Sequence, residues 1–555
     1  MEFHPTISDV ASLKIPDDLT VPQFMFDAAH ELRPQKQEDV PANGLRIKYG
    51  VGEDDVVVLV SRNHVDYPVA VWAVQNLGGI VSGANPDFTA NEIEYQIREI
   101  KAVAVFADPD CLPAALAAAR KAGLSPDRVL LFDVPEKITE EMYKAYDSVS
   151  RLLEYGLGQK PQYTPRRLAP GESKTKLALY SFSSGTMGRP KASAVAIPHY
   201  AVIANVLQIA AHSQINDGRL SLQEKRYRAG DIAIGVLPLY HIYMIVNLHF
   251  LLFAQISLVV VPKFQFEEML KSIVTHHINH LMLVPPQIVL LCKHPAVKQH
   301  DIRPYIRSIM SSAAPLSAEV NQQIFNLLPD AHIGQAYGMT ETCTAVTIWP
   351  ITRKRGVSGS SGVLVPGTVA KVLKLDGTWA GYNEAGELLV QTPSAALCYS
   401  NDAQATKETF LDGWVRTGDE VKFREDGEMF VLDRLKEIMK VKGFQVAPAE
   451  LEGCLLDHPD VNNACVVGIP DGYTGESPLA FVVLSTDAAN RAASGSAEEI
   501  KRSIIQHVAK NKIHYKHLTG GVEFVKVIPV SPSGKLLRRV LREQAKMLKR
   551  TKPKL

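Results

Sequence analysis

A chain of 555 residues, 46% hydrophobic and 21% charged, can bury a large core and is long enough for more than one domain. Its net charge of +1 excludes a nucleic-acid binder or an anionic-membrane protein that works through bulk electrostatics. The six cysteines are scattered without a CxxC pair, which argues against a disulfide framework or a zinc site and fits a reducing compartment.

The opening "MEFHPTISDV" has no basic stretch followed by an apolar run, so no secretory leader is read there. Strand-like and helix-like runs then alternate. "DVVVLV" precedes a helical "DYPVAVWAVQNLGG"; "AVAVFA" precedes "CLPAALAAARKAG", and "RVLLFD" follows. "DIAIGVLPL", "HLMLVPP" and "RSIMSSAAPL" continue the rhythm, which predicts parallel sheets flanked by helices. The uncharged run Met244–Val261 is nearly long enough to span a bilayer, but Asn247, His249, Gln255 and Ser257 interrupt it. It is read as a buried helix to about Ala254 and then a buried strand, with no transmembrane segment.

After about Gly356 the texture changes to short strands punctuated by Gly, Pro and Asn-Glu turns, a β-rich subdomain over about 356–433. From Asp433 a basic turn, "DRLKEIMKVKG", opens a fresh pattern. "PAELEGCLLDHPDV" is a helix, "NACVVGIP" and "LAFVVL" are strands, and "SAEEIKRSIIQHVAKN" is a helix; "TDAANRAASGSAEE" reads as a surface loop. The expected fold class is α/β. A large N-terminal domain of αβ subdomains with the β-rich part covers 1–433, and a small α+β C-terminal domain covers 434–555.

One stretch has the composition of a phosphate loop: "SFSSGTMGRPK", Ser181–Lys191. Gly185 lets backbone N–H groups approach phosphate oxygens, Ser183, Ser184 and Thr186 add hydroxyl donors, and Lys191 adds a point charge. The P-loop pattern fails, because Ala192 follows the lysine where a Ser or Thr would be needed. On these residues alone, a polar surface loop is an equal reading.

Four further motifs follow in order: "GQAYGMTET" (Gly334–Thr342), "WVRTGD" (Trp414–Asp419), "DRLKEIMKVKGFQVAPAELE" (Asp433–Glu452) and "SPSGKLLRRVLR" (Ser531–Arg542). Together the five resemble the adenylate-forming superfamily, in particular the 4-coumarate–CoA ligase-like acid–thiol ligases, from about Asn43 to Arg542. The resemblance implies two steps. A carboxylate attacks the α-phosphorus of ATP to give acyl-AMP and pyrophosphate, and coenzyme A then displaces AMP to give a thioester. It implies a loop around Ser183–Lys191 closing over the β- and γ-phosphates, Glu341 as the Mg²⁺ ligand, and Thr340 on the α-phosphate. Tyr337 would lie against adenine, with Ala314, Gln335 and Ala336 in the same nucleotide site. Asp419 would bind the ribose hydroxyls and Arg434 ribose or phosphate. Lys535 would bridge carboxylate and α-phosphate. Lys440 would face the site for the second step, after a mobile C-terminal domain turns at a hinge at Lys436. Lys263, Lys442 and Gly443 would meet coenzyme A, with Gln445 beside that path.

The resemblance places the acid beside His241 and Tyr243, with Asn247, Ala313, Ala336, Gly338 and Ile348 as walls. Small or apolar walls suit an aryl or medium-chain acid. Ala336 stands where a glycine is frequent, and Asn247 replaces a smaller residue common in coumarate-preferring members, so a strict hydroxycinnamate preference is not expected. His249 lacks motif support and is read as a core residue. Between "AHELRPQ" and the first core strand the chain is shorter than the family pattern. Only "PANGLRIKYG" is retained of a helix there, which should leave neighbouring apolar surface uncovered. The alternatives are an enzyme that loads a carrier protein, a luciferase-like oxygenase, or an inactive acyl-adenylate-binding relic. The final Pro553-Lys554-Leu555 is close to the Ser-Lys-Leu peroxisomal address, so a peroxisomal import receptor is an expected partner, with a cytoplasmic location as the alternative.

Overall fold

Runs of β-branched residues build the first sheet. β1 (Val56–Val60) is buried along its whole length, because it is the interior of a parallel array covered on both faces. β2 (Ile80–Ala84) and β3 (Ala104–Ala107) flank it, and β4 (Val129–Leu131), β5 (Leu177–Ser183) and the antiparallel β6 (Ser193–Pro198) extend the sheet. A two-residue strand from much later in the chain, β16 (Cys398–Tyr399), completes the order β16-β6-β5-β2-β1-β3-β4. The computed structural model describes residues 1–5, 13–27, 42–133, 143–160, 163–164, 167–183, 193–313, 316, 318–434, 437–441, 444–471, 475–530 and 536–551.

The second sheet holds β7 (Ile232–Gly235), β8 (Ser257–Val260), β9 (His280–Leu283), β10 (Ser308–Ser311), β11 (His332–Met339), β12 (Thr344–Ile348) and β13 (Val363–Leu364) in the order β13-β12-β11-β10-β9-β7-β8. β7 to β11 pair in parallel; β12 and β13 add antiparallel. One continuous core joins the two sheets through the helices Tyr67–Asn76, His199–His212 and Ile242–Phe253. The helix His199–His212 is buried on nearly all sides, so its amides Asn205 and Gln208 take their partners from inside the protein. Asn205 donates to the Ala345 carbonyl at 2.9 Å and Gln208 to the Pro366 carbonyl at 2.8 Å.

The uncharged run is therefore a core helix, Ile242–Phe253, followed by a strand, and no described helix is long and apolar enough to cross a membrane. The strand corrects the expectation in one respect. β8 is the edge of its sheet, so Ser257 is exposed and Leu258–Val260 only half-buried.

The β-rich stretch forms a third, antiparallel sheet: β14 (Val369–Leu373), β15 (Gly386–Gln391), β17 (Phe410–Leu411), β18 (Trp414–Phe423) and β19 (Met429–Arg434). Phe3, from the start of the chain, bridges to Ala370 of β14 and stacks on Phe423 with ring centroids 4.4 Å apart. The last sheet contains β20 (Met439–Val441), β21 (Phe444–Val446), β22 (Val461–Asp471), β23 (Gly475–Leu484) and β24 (Gly521–Phe524). The helices Pro448–Leu456 and Ala497–Asn511 pack on it around a separate core. The expected surface loop here is instead helical: Ser485 accepts from the Ala488 N–H as an N-cap, Thr486–Arg491 forms a helix, and Gly495 at φ 107° marks a kink before Ala497–Asn511. Alanine content outweighed the serines and glycine that suggested a loop.

The retained "PANGLRIKYG" helix forms as Asn43–Tyr49 and packs on Val149–Leu157 at two glycines. A Cβ on Gly44 would lie 2.0 Å from the Leu152 carbonyl oxygen, so only glycine permits this approach. The preceding 28–41, where the shortened segment falls, lies outside the described residues.

Candidate active site

β11 changes partners part-way along, and the site residues lie where it does. Ser308 to Ser311 of β10 pair in parallel with His332 to Gln335. Beyond that point β12 takes over, pairing Ala336 with Ile348 and Tyr337 with Thr347 before a bulge at Tyr337/Gly338. A Cβ on Gly338 would lie 1.5 Å from the Thr344 carbonyl oxygen, which explains the glycine. The turn Thr340–Thr342 follows, and then Cys343 (φ 50°) and Thr344 (φ 98°) are both left-handed. Such backbone is costly for residues with a Cβ and is found where surrounding structure enforces it, often at functional sites. Here Thr344 donates its hydroxyl to the Ile242 carbonyl at 3.0 Å, tying this turn to the helix Ile242–Phe253.

The strand end brings distant motifs together. The Tyr337 hydroxyl donates to Asp419 Oδ2 at 2.6 Å, joining "GQAYGMTET" to "WVRTGD" across 82 residues. Asp419 is 5% exposed, donates its backbone N–H to the Thr417 hydroxyl at 3.1 Å, and stands opposite Arg434 in the β18–β19 register. Glu341 is 2% exposed, and the Tyr399 hydroxyl donates to its Oε1 at 2.6 Å. Tyr399 pairs with Val195 of β6, two residues beyond Ser193, and Ser193 faces Ser183 across the β5–β6 pair. Glu341 is thus linked to the strands that flank the candidate phosphate loop. Of that loop Ser183 is described; Ser184, Gly185, Thr186 and Lys191 lie outside the described residues, as does Ala314.

Glu341 also passes a test as a cation ligand. Its carboxylate is buried with no ion-pair partner among the described residues, a state that favours a bound cation. Among the described residues no cluster of three or more His, Cys, Asp or Glu could hold a metal alone. One carboxylate with phosphate oxygens supplying the remaining ligands is the arrangement Mg²⁺ accepts.

The segment expected to bind the acid lies beside the same strand end, tied to it by the Thr344–Ile242 hydrogen bond. His241 precedes the helix Ile242–Phe253 in extended conformation, its ring 4.6 Å from that of Tyr240. The Tyr243 hydroxyl is buried, and burial pushes the phenol far above its ordinary pKa, so it stays neutral. Asn247, 1% exposed, donates to the Tyr243 carbonyl at 2.6 Å. Ala336 faces Ile348 in register, and Ala313 (φ 74°) follows β10. Behind this segment a cleft is lined by Tyr240, Ile242 and Ile245 with Gly83, Leu179 and Ser181. Gln335 is engaged structurally: it accepts from the Leu316 N–H at 2.8 Å and donates to the Ser360 carbonyl at 3.1 Å. His249 is a core residue, accepting from Trp72 Nε1 at 3.0 Å while its Nδ1 donates to the Ile245 carbonyl at 2.7 Å.

Lys440 is exposed on β20, and its backbone N–H donates to Glu476 at 2.7 Å. Lys263 is exposed just beyond β8. Lys436, Lys442, Gly443 and Lys535 lie outside the described residues, as do Pro553-Lys554-Leu555; of Gln445 and Arg434 only the backbone is described.

The profile of AMP-binding enzymes matches residues 37–400, and that of the AMP-binding enzyme C-terminal domain matches residues 450–535. The chain belongs to the AMP-binding enzyme family. Among relatives of this AMP-binding enzyme, 4-coumarate–CoA ligase 2 of Oryza sativa subsp. japonica is 35% identical over 511 residues, covering 89% of this chain and 84% of the relative. Peroxisomal OPC-8:0-CoA ligase 1 of Arabidopsis thaliana is 33% identical over 498 residues, with the same two coverages of 89% and 84%. The fold matches that of the anthranilate CoA ligase AuaEII in complex with anthranoyl-AMP at a TM-score of 0.78 and 21% identity, covering 96% of this chain and 99% of that one.

Sequence reasoning missed Tyr399 and Thr344. Tyr399 lies 58 residues from the carboxylate it binds, in a two-residue strand with no local signature. Thr344 sits just outside the "GMTET" stretch, and its contact with Ile242 depends on packing between elements 102 residues apart.

Proposed function

We propose that this AMP-binding enzyme is an acid–coenzyme A ligase for an aryl or medium-chain carboxylic acid. One observation carries the reading. The end of β11 carries Tyr337, bonded to Asp419, with the buried Glu341 just beyond it, and Thr344 ties the same turn to Ile242 in the half-buried His241–Tyr243 segment. The relatives named as CoA ligases support it.

In the first step Tyr337 lies against adenine, Asp419 takes the ribose hydroxyls, and the Ser183–Lys191 loop covers the β- and γ-phosphates. The carboxylate must approach the α-phosphorus against like charge, about 4 kcal/mol per unit pair at ~4 Å and an effective dielectric of ~20. Lys535 bridges the carboxylate and the α-phosphate, and Thr340 donates its hydroxyl to the latter, so the repulsion is offset where the bond forms. Mg²⁺, where Glu341 would hold it, would neutralise phosphate charge. His241 closes the acid side of the site against water. The carboxylate oxygen bonds to the α-phosphorus as pyrophosphate leaves.

In the second step a unit of residues 434–555 turns at Lys436 and presents the Lys440 face, while Lys263, Lys442 and Gly443 meet coenzyme A. The sulfur attacks the acyl carbon and AMP departs. The family matches leave 401–449 between them, the interval that holds Lys436, which supports a joint there and an N-terminal unit of 1–433. In the pocket, the methyl of Ala336 opposite Ile348 narrows the slot. Tyr243 Oη and Asn247 Oδ1, buried without hydrogen-bond partners among the described residues, favour an acid whose tail carries one hydrogen-bonding group. Pro553-Lys554-Leu555 would direct the enzyme to peroxisomes through an import receptor, a reading supported by the relative of that compartment.

Pyrophosphate release with a panel of acids, with and without coenzyme A, tests the function. Acid-dependent release and coenzyme A-dependent thioester are expected. No release with any acid would overturn the reading, and light emission with oxygen would replace it.

A further inference from the structure

A second polar cluster lies at the other end of the second sheet, where β7, β9, β10 and β11 begin rather than where β11 finishes. Asp231, just before β7, is its central acid and is fully engaged. It accepts from Arg307 Nη1 at 2.7 Å on each oxygen, from His280 Nε2 at 2.8 Å and from the Arg228 N–H at 3.0 Å. His280 is fixed on its other side by Ser308 at 2.8 Å. Arg226 is completely buried, stacks on the Trp349 ring at 3.8 Å, and donates to the Trp349 and Pro350 carbonyls at 3.2 and 3.0 Å. His212 Nε2 also meets the Trp349 carbonyl, at 3.2 Å.

This cluster is rich in cations and short of acceptors. Burial, then the charges of Arg226, Lys354, Arg228 and Arg307, push the His332 pKa down to about 4, so four cations act on one imidazole. The acids that answer them are Asp231 and the exposed Asp330, which reaches Lys354 at 3.5 Å. Arg226 Nε, Arg228 Nε, Trp349 Nε1 and His332 Nδ1 are all buried with no hydrogen-bond partner among the described residues. Two of these belong to residues 0% and 1% exposed, Arg226 and Trp349. Buried donors without acceptors are rare and call for an explanation. Excess positive charge beside them selects an anion over a neutral acceptor.

We propose that Arg226, Arg228, His332 and Trp349 form a binding site for a small oxyanion of the phosphate or sulfate class. The anion accepts from the two guanidinium Nε–H groups, the indole N–H and the imidazole, whose tautomer carries its proton on Nδ1. Arg228, Arg307 and His332 are part-exposed and give it a way in. The charged members of the cluster lie where β11 begins, whereas Tyr337, Thr340 and Glu341 lie at or beyond its other end; Trp349 reaches between the two, its backbone N–H donating to the Gln335 carbonyl at 3.1 Å.

The test melts the full-length enzyme in sodium phosphate and in sodium chloride at matched ionic strength, for wild type, Arg228→Gln and His332→Phe. Phosphate should raise the wild-type melting temperature by about 2 °C and saturate, as linkage requires of a ligand that binds the folded state. Both variants should lose that rise while melting normally in chloride. Crystals soaked in sodium selenate should show anomalous selenium density between Arg226, Arg228 and His332. An equal phosphate response in wild type and a folded variant would overturn the proposal, because the response then comes from the nucleotide site. No selenium density at the cluster would also overturn it, leaving water as the acceptor. If one variant does not fold, the other and the selenate soak still decide.

Discussion

At the scale of single residues, the site depends on a few short hydrogen bonds between side chains far apart in sequence. Tyr337 to Asp419 is one. Changing Asp419→Asn should lower kcat/KM for ATP by about 10- to 100-fold, the worth of a charge-assisted hydrogen bond or two, and Tyr337→Phe should cost less. Steady-state kinetics of pyrophosphate release would check both. Tyr399→Phe removes the donor to Glu341 and should raise the Mg²⁺ concentration needed for half-maximal release, with little change at saturating Mg²⁺. Ala336→Gly should widen the slot opposite Ile348 and shift acid preference toward bulkier rings in the same panel. Asp419, Tyr337 and Glu341 were legible in the sequence because each sits in a dense local motif. Tyr399 was not, because a lone tyrosine gains its meaning only when β16 docks on β6.

At the scale of elements, the alternation of strands and helices was legible except over Thr486–Ser496, read as a loop and found helical, since β-branched runs and amphipathic stretches follow their own periods. What the sequence hid was position within a sheet. The run before Val261 looked fully buried, yet β8 has no neighbour on one side. The bend in β11 was hidden too, for it depends on Gly338 meeting Thr344 across the pair. Gly338→Ala should destabilise by at least about 1–3 kcal/mol through overpacking and lower activity with it, as thermal melts and kinetics would show. The two most buried helices add a pH dependence. Burial pushes His199 to about 3 and His212 and His249 to about 4, so all three stay neutral in the folded chain. Unfolded, each binds a proton near its ordinary 6.5. Their effect on stability is therefore nil above that pH and unfavourable as pH falls from 6.5 toward 4, by up to about 1.4 kcal/mol per pH unit for each. Melting temperatures should drop over that interval, and His249→Gln should flatten the fall.

At the scale of the whole molecule, two lysines should divide the reaction between them. Lys535→Ala is expected to abolish adenylation while still converting supplied acyl-AMP to thioester; Lys440→Ala should slow the thioester step more. Equal losses in both half-reactions for both variants would contradict the proposed rotation. Between the stretches matched by the two family profiles, 37–400 and 450–535, the structure shows one fastening in particular. Lys293, at the end of Pro285–Lys293, donates to the Leu456 carbonyl at 3.0 Å and to the Val461 carbonyl at 2.9 Å. Lys293→Met should loosen this arrangement and alter the balance of the two half-reactions without touching either site. Both acceptors are peptide oxygens, which neither take up protons at working pH nor gather a screening cloud of counter-ions as a carboxylate would. The lysine is then the titratable member of the clasp, and burial holds its pKa below the ordinary value, so the grip persists as acidity rises and weakens first on the alkaline side.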